Sequence, residues 1–444
     1  MVLAMATPGL VPNTNRDASG NPIRVATDVR APQLSATRVR TEITLPSLPE
    51  LIELIELDAF SQDDLLASIL LGERLSPEGA LWLLRHGDTE AIRSAADQLR
   101  LRRFPDDRAT FIIDRNINYT NICVIKCSFC AFYRLPGSPE GYRRSMENIF
   151  ERIDEAIAQG ATQIMFQGGH DPELRIEYYE DLFSAVKARY TITLHSLSPS
   201  EIHHIARYSR LTIAETLRRL KAAGLDSLPG GGAEILTERV KQAISPLKNS
   251  AALWIEIMDE AHRQGLRTTG TMMLGHLETL TDRVEHLAAL RESQDRAHAS
   301  FGRDSGYRSF IPWTYQPDNT ALAVQAPTRA TSEDYLRTLA VSRLFFDNVT
   351  HIQGSWLTVG RNTGQTSLRY GADDLGSIML EENVVSAAGV VEKCMTNNAM
   401  IELIVEAGRV PARRDTTYRL LETYDIGNDG SFTPAPVPES SIAY

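Results

Sequence analysis

The chain has 444 residues, 43 % hydrophobic and 23 % charged, with a formal net charge of −11. That length suits one large decorated barrel or two domains, and the acidic balance excludes nucleic-acid binding through a general basic field. No run approaches the ~18 apolar residues of a membrane-spanning helix. The N-terminal stretch lacks a basic n-region and is broken by Pro8 and Pro12, so no secretory signal is expected.

Residues 1–45, rich in Ala, Pro, Thr, Asn and Arg without an apolar period, predict a disordered extension. A helical region follows over 46–105. Over 49–70, Leu51, Leu54 and Ile55 share a face, and Leu65 and Ile69 lie one turn apart. The next helix is marked by Ser76 as N-cap, Pro77 in the first turn and Gly87 as a left-handed C-cap. A third helix is expected over 88–102. Arg102, Arg103 and Arg108 read as a solvated surface.

From Thr110 the rhythm changes. Short β-branched or apolar runs at 110–114, 163–167, 191–195, 225–228, 268–274, 309–313 and 352–356 predict strands. They alternate with helical patterns at 148–158, 176–188, 213–223, 250–264, 280–292 and 332–346. Repeated alternation predicts parallel strands joined by crossovers, and this number of units predicts an α/β fold, an eight-stranded (βα) TIM-type barrel over 106–424 with C-terminal elements. Residues 425–444, with Gly427, Gly430 and three prolines, are expected to form a flexible tail.

The chemistry concentrates behind the first barrel strand, where Cys123, Cys127 and Cys130 have Cys-x3-Cys-x2-Cys spacing. A continuous helix would separate the outer two by about 10 Å along its axis, so an irregular loop around one compact centre is expected. Loops after barrel strands lie on the C-terminal face, where barrel enzymes keep their chemistry. Three thiolates leave a 4Fe–4S cluster one ligand short of the usual four, with one iron open to a small molecule. The alternative is structural zinc, completed by Cys394 or a histidine; otherwise Cys394 reads as a small buried hydrophobe. A metal centre of free thiols suits a reducing, cytoplasmic compartment.

The cysteine loop resembles the signature of the radical S-adenosylmethionine (radical SAM) superfamily. The blocks IDRNINYTNIC, CSFCAFYR, FQGGHDP, LDSLPGGGAEIL, TMMLGHLET, FIPWTYQPDNT and GADDLGSIMLEENVVSAAG together resemble the cyclic dehypoxanthine futalosine synthases of the futalosine route to menaquinone. The resemblance implies that Cys123, Cys127 and Cys130 ligate three irons and that S-adenosylmethionine chelates the fourth. It implies reductive cleavage of that cofactor to a 5′-deoxyadenosyl radical, abstraction of the ribose 4′ hydrogen of dehypoxanthine futalosine, and closure onto the benzoate ring. It further implies a small-molecule substrate and a reducing partner such as flavodoxin or ferredoxin. Aminofutalosine synthases and deazaflavin-forming radical enzymes are the sister readings, and a zinc-stabilised ligand-binding barrel is the reading from another class.

Other positions carry paired readings. Phe129 is a candidate adenine contact or a loop-core filler. Gly168 and Gly169 let a methionine moiety approach the backbone, or simply turn the chain. His170 and Asp171 contact substrate or tie a loop. Gly230, Gly231 and Gly232 lack the following Lys-Ser/Thr of a phosphate loop, and Glu234 is a candidate for a ribose hydroxyl. Ser196, with His195, ends a strand and is a candidate cofactor contact. His276 and Glu278 join His170 as catalytic candidates. Trp313 and Tyr315 are candidates to sandwich the benzoate ring, with core packing the rival for Trp313, Gln316 and Asn319 beside them and Pro312 and Pro317 stiffening the loop. Met272 and Met273 read as packing, and Asp373, Asp374, Glu381 and Glu382 as surface or cap charges. The stretch Arg296–Tyr307 is longer than the family pattern and is expected near the substrate entrance.

Overall fold

Ser76 folds as its sequence demands: its hydroxyl accepts the Gly79 amide at 3.0 Å and starts a helix whose first residue is Pro77. A computed structural model describes residues 60–427 and 431–437; the expected extension over 1–45 and the helical pattern before residue 60 lie outside the described residues. Three helices open the described chain, α1 (Gln62–Leu70), α2 (Pro77–His86) and α3 (Thr89–Arg103). Gly87 ends α2 in extended backbone, φ −67°, rather than the expected left-handed one. The chain must enter α3 at once, with Asp88 as its N-cap. Glycine is needed there for space, since a Cβ would lie 2.7 Å from Ile92 and 2.8 Å from the Leu83 carbonyl.

The barrel's first stave is split into β1 (Arg108–Ile112) and β2 (Asp114–Ile117). Then come α4 (Met146–Ala158), β3 (Gln163–Phe166), α5 (Ile176–Arg189), β4 (Thr193–Leu194), α6 (Pro199–Ser209) and α7 (Ile213–Ala223). They are followed by β5 (Ser227–Leu228), α8 (Glu238–Ile244), α9 (Ala251–Arg263), β6 (Arg267–Leu274), α10 (Leu280–Phe301) and β7 (Tyr307–Thr314). The last staves are β8 (His351–Ile352), preceded by α11 (Ser332–Phe345), and β9 (Asp374–Ser377). Neighbouring staves pair in parallel: β2 with β3, β3 with β4, β5 with β6, β6 with β7, β7 with β8, and β9 with β1. Single parallel bridges, His195–Ser227 and Gln353–Asp374, close the remaining two seams. Eight staves thus form a closed parallel barrel, the fold the alternation predicts.

The C-terminal part adds three strands to the barrel's base. β10 (Val410–Arg414) pairs in parallel with β1, and β11 (Leu420–Ile426) and β12 (Phe432–Ala435) extend it as an antiparallel ribbon. Residues 425–426 and 432–435, expected in a flexible tail, are therefore strand. The turn between β10 and β11 fills the N-terminal half of the lumen. Arg414 clamps Asp374 through two bonds of 2.6 and 2.9 Å, Thr416 donates to Gln163 at 2.8 Å, and the Tyr418 ring stacks on His351 at 3.6 Å.

Asp373 and Asp374, expected at the surface, are consequently buried in the barrel wall. Arg108 is buried too, because β1 is covered on both edges. Residues Arg296–Phe301 continue α10, and the turn after them leads into the start of β7. This extra length therefore lies at the N-terminal mouth, opposite the cysteines. Among the described residues no helix is long and apolar enough to cross a membrane.

Candidate active site

Between β2 and α4 the chain wraps into the irregular loop that the cysteine spacing requires. Its backbone is fastened on several sides. The Cys123 amide donates to the Arg134 carbonyl and the Arg134 amide to Asn121, both at 2.8 Å. The Arg134 guanidinium gathers the carbonyls of Ala131, Phe132 and Tyr133 at 3.0–3.3 Å. Val124 donates to His170 at 3.1 Å, Ser128 donates to Ile244 at 2.9 Å, and Leu322 donates to Ser128 at 2.8 Å. Loop, β3 exit, α8 and the turn after β7 are thus one cross-braced unit at the C-terminal mouth.

Cys123 and Cys127 are buried, Cys130 is half-buried, and all three are free thiols. Burial pushes the Cys127 thiol up to about 12 and raises Cys130, with Lys248 opposing in both cases. Phe129 packs between the thiol cluster and the main core, and the Lys248 ammonium stands 5.2 Å over its ring. Cys394, expected to be buried, is exposed.

The glycine pair after β3 lies directly beneath this loop. A Cβ on Gly169 would sit 2.1 Å from the Ile122 carbonyl oxygen, and one on Gly168 2.6 Å from the Tyr119 ring. Their missing side chains therefore admit the protein's own loop to close approach. Glu201 supports them from below. Its carboxylate accepts the Tyr119 phenol at 2.8 Å, the Gly168 amide at 3.0 Å and the Ser198 hydroxyl at 2.7 Å. Burial raises Glu201 to about 7 against those three donors. Next to the pair, buried His170 lies between Ser200 Oγ at 2.9 Å and Cys123 Sγ at 3.7 Å. Burial, then His204, holds its imidazole well below the usual range. Asp171 turns away and pairs with Arg143 at 2.6 Å.

Glu234 completes the wall. Its Oε1 accepts Lys248 at 2.9 Å, and Lys241 lies 3.6 Å from Oε2. Burial opposes its ionisation, yet the two ammonium groups hold it below the ordinary carboxylate range. Oε2 is buried with no hydrogen-bond partner. Of the preceding glycines, Gly230 packs on β6, where a Cβ would meet the Thr269 carbonyl at 2.4 Å.

Other candidates are occupied by local structure. Ser196 Oγ accepts the Phe166 amide at 3.1 Å inside the wall, and His195 bonds Ser227 at 2.7 Å. His276 Nε2 faces the Met273 carbonyl at 3.0 Å, while its Nδ1 accepts the Leu277 amide at 2.7 Å. Glu278 accepts the Gly275 and His276 amides at 2.6 and 2.9 Å and pairs with Arg283. Tyr315 is fully buried with its hydroxyl on Thr320 at 2.6 Å, whereas Trp313 is half-buried. Gln316 bonds Thr314 and Thr358, and Asn319 donates to Ala387 at 3.0 Å. Met272 and Met273 are core, as expected. Glu382 caps the turn after β9 by accepting three successive amides, and Glu381 pairs with Arg115 and Arg152.

The site thus joins three thiols to a glycine-rich rim at a barrel's C-terminal mouth. Residues 117–290 match the radical SAM superfamily, and residues 304–426 match the CofH/MqnC C-terminal region. The chain is 50 % identical to a cyclic dehypoxanthine futalosine synthase of Streptomyces coelicolor, over 80 % of this chain and 87 % of that one. A protein of the same name from Halalkalibacterium halodurans is 44 % identical, over 82 % and 96 %. The chain belongs to the cyclic dehypoxanthine futalosine synthase family of radical SAM enzymes. An aminodeoxyfutalosine synthase of Thermus thermophilus is more distant, 36 % identical over 80 % and 95 %. The barrel itself is shared with the FeFe-hydrogenase maturase HydG of Carboxydothermus hydrogenoformans, with a TM-score of 0.64 at 15 % identity over 83 % of each chain.

Radical SAM enzymes work with a 4Fe–4S cluster and S-adenosylmethionine, and the residues present fit both. Three thiols on one braced loop match a cluster with one iron left open, and Glu234 Oε2, ion-paired with Lys241 but without a hydrogen bond, has room to accept one. Family membership overturns the zinc-stabilised barrel.

Three residues of this site carry no mark as such in the sequence: Lys248, Lys241 and Tyr119. Glu201 had a signal, because Ser198-x-x-Glu201 is a capping pattern, but nothing local indicated that its carboxylate also reaches Gly168.

Proposed function

We propose that this chain cyclises dehypoxanthine futalosine. The observation that carries the reading is the braced loop of Cys123, Cys127 and Cys130, in a chain of this family. The three cysteines would hold the cluster. When bound, the cluster and S-adenosylmethionine supply one-electron reduction and hydrogen-atom abstraction from a substrate carbon.

The chain's own residues bind and orient. Phe129 offers a ring face to adenine. Gly168 and Gly169 let the cysteine loop close onto the rim, and Glu234 Oε2 accepts a ribose hydroxyl. Lys248 holds Glu234 ionised, so that acceptor stays available at neutral pH. The loop bracing excludes water and keeps the thiols in place. A reducing electron donor such as flavodoxin or ferredoxin supplies the electron, in a reducing cytoplasm.

The test incubates reduced holoenzyme anaerobically with S-adenosylmethionine and dehypoxanthine futalosine. The expected products are 5′-deoxyadenosine and a compound two hydrogens lighter than the substrate. Formation of 5′-deoxyadenosine with no conversion of the substrate would refute the reaction.

A further inference from the structure

We propose that the N-terminal mouth of the barrel is a second binding site, which takes a phosphate-bearing small molecule between Arg267 and Arg308. Arg267 opens β6 and Arg308 is the second residue of the adjacent β7. Both line a cavity of about 1100 Å3 at the end of the barrel opposite the cysteines.

The two guanidiniums are short of partners. Arg308 is only 8 % exposed, yet it makes one bond, to the Ser227 hydroxyl at 3.0 Å, and its Nε has none. Arg267 Nε is likewise buried and unpartnered. Neither meets a carboxylate within ion-pair distance among the described residues. Burying an unpaired cation is costly, and here two stand on neighbouring strands. Burial, then the charge of Arg267, pushes Arg308 down to about 10.

The carboxylates around the cavity are committed elsewhere. Asp295 and Asp347 pair with Arg74 at 2.6 and 2.7 Å, and Asp415 pairs with Arg419 at 3.1 Å. Asp373 pairs with His351 at 2.6 Å and with Arg343. Asp304 is the carboxylate whose field reaches Arg267, without an ion pair. Two guanidiniums without a carboxylate partner on adjacent strands are the kind of donor set that planar, bidentate phosphate recognition uses.

The cavity also has room and a surface for an organic part. Its volume exceeds that of a free anion's shell and reaches the upper limit of sites for organic ligands. Phe104, His351 and Tyr418 form a ring stack on its wall, with centroid spacings of 5.4 and 3.6 Å. The extra turn after α10 contributes Arg303 to the same rim.

Calorimetric titration of the full-length holoenzyme with phenyl phosphate and with inorganic phosphate, at constant ionic strength, tests this. Saturable binding of phenyl phosphate is expected, tighter than that of inorganic phosphate. Arg308→Gln and Arg267→Gln should each weaken it by about tenfold or more. Arg308→Gln also removes a buried cation, so its melting temperature in phosphate-free buffer should equal or exceed that of the parent. Absence of saturable heat in the parent, equal binding in the double variant, or binding of inorganic phosphate with exclusion of phenyl phosphate would each overturn the proposal.

Discussion

Tyr119 donates its phenol to Glu201 at 2.8 Å, and the same carboxylate oxygen accepts the Gly168 amide at 3.0 Å. One buried atom therefore ties the strand exit before the cysteine loop to the glycine rim beneath it. Tyr119→Phe leaves Glu201 with one donor fewer and should cost about 1–2 kcal/mol. Urea unfolding measures this; an unchanged midpoint would show that the bond contributes nothing.

Gly169→Ala probes how closely rim and loop approach. The new methyl would fall 2.1 Å from the Ile122 carbonyl oxygen, so the loop must move away. The protein should still fold, and iron bound per chain after reconstitution should drop by about half or more as the thiols lose their relative placement. Iron content equal to the parent's would show that the loop accommodates the methyl.

Acid sensitivity follows from buried imidazoles. Burial pushes His195, His262 and His286 each down to about 3. Between pH 6.5 and 3 the unfolded chain takes up these protons and the folded chain does not. Stability is therefore full above pH 6.5 and falls as the pH drops, by up to ~1.4 kcal/mol per pH unit for each histidine. Glu201, raised to about 7, contributes the opposite slope over part of that window and is outnumbered. Urea midpoints at pH 7.0, 5.5 and 4.5 should decline in that order, and a flat series would contradict the burial of neutral histidines.

Asp374→Asn tests the plug in the lumen. The Asp374 carboxylate is fully buried and receives Arg414 through two bonds and Thr110 through a third. Removing its charge strands the Arg414 guanidinium and should cost about 3–5 kcal/mol. Thermal unfolding followed by circular dichroism reads this out; a loss below 1 kcal/mol would mean that Arg414 finds another partner.

Much of this was legible in the chain. Ser76-Pro77 announced α2, the alternation from Thr110 announced the barrel, and the cysteine spacing announced an irregular loop. These signals are local, so a window of sequence contains them. Asp373 and Asp374 were misread because their acidity argued for solvent, while their partners Arg343 and Arg414 lie 30 and 40 residues away. Gly87 was misread because a C-cap glycine and a space-saving glycine look alike. Glu234 was legible as a polar group after a glycine run, but Lys248, which holds it charged, arrives from a loop with no motif. The C-terminal ribbon was hidden by Gly427, Gly430 and the prolines, which mark turns and edge strands as readily as a frayed tail.

β1 hydrogen-bonds on one edge to β9 and on the other to β10. The first stave to leave the ribosome is thus completed by two of the last strands made. At about 5–20 residues per second, that wait runs to tens of seconds. Through it, Phe111 and its neighbours present open strand edges to whatever else is in reach. Translation speed and chaperone supply, more than final stability, should then govern the yield of this protein in a foreign host.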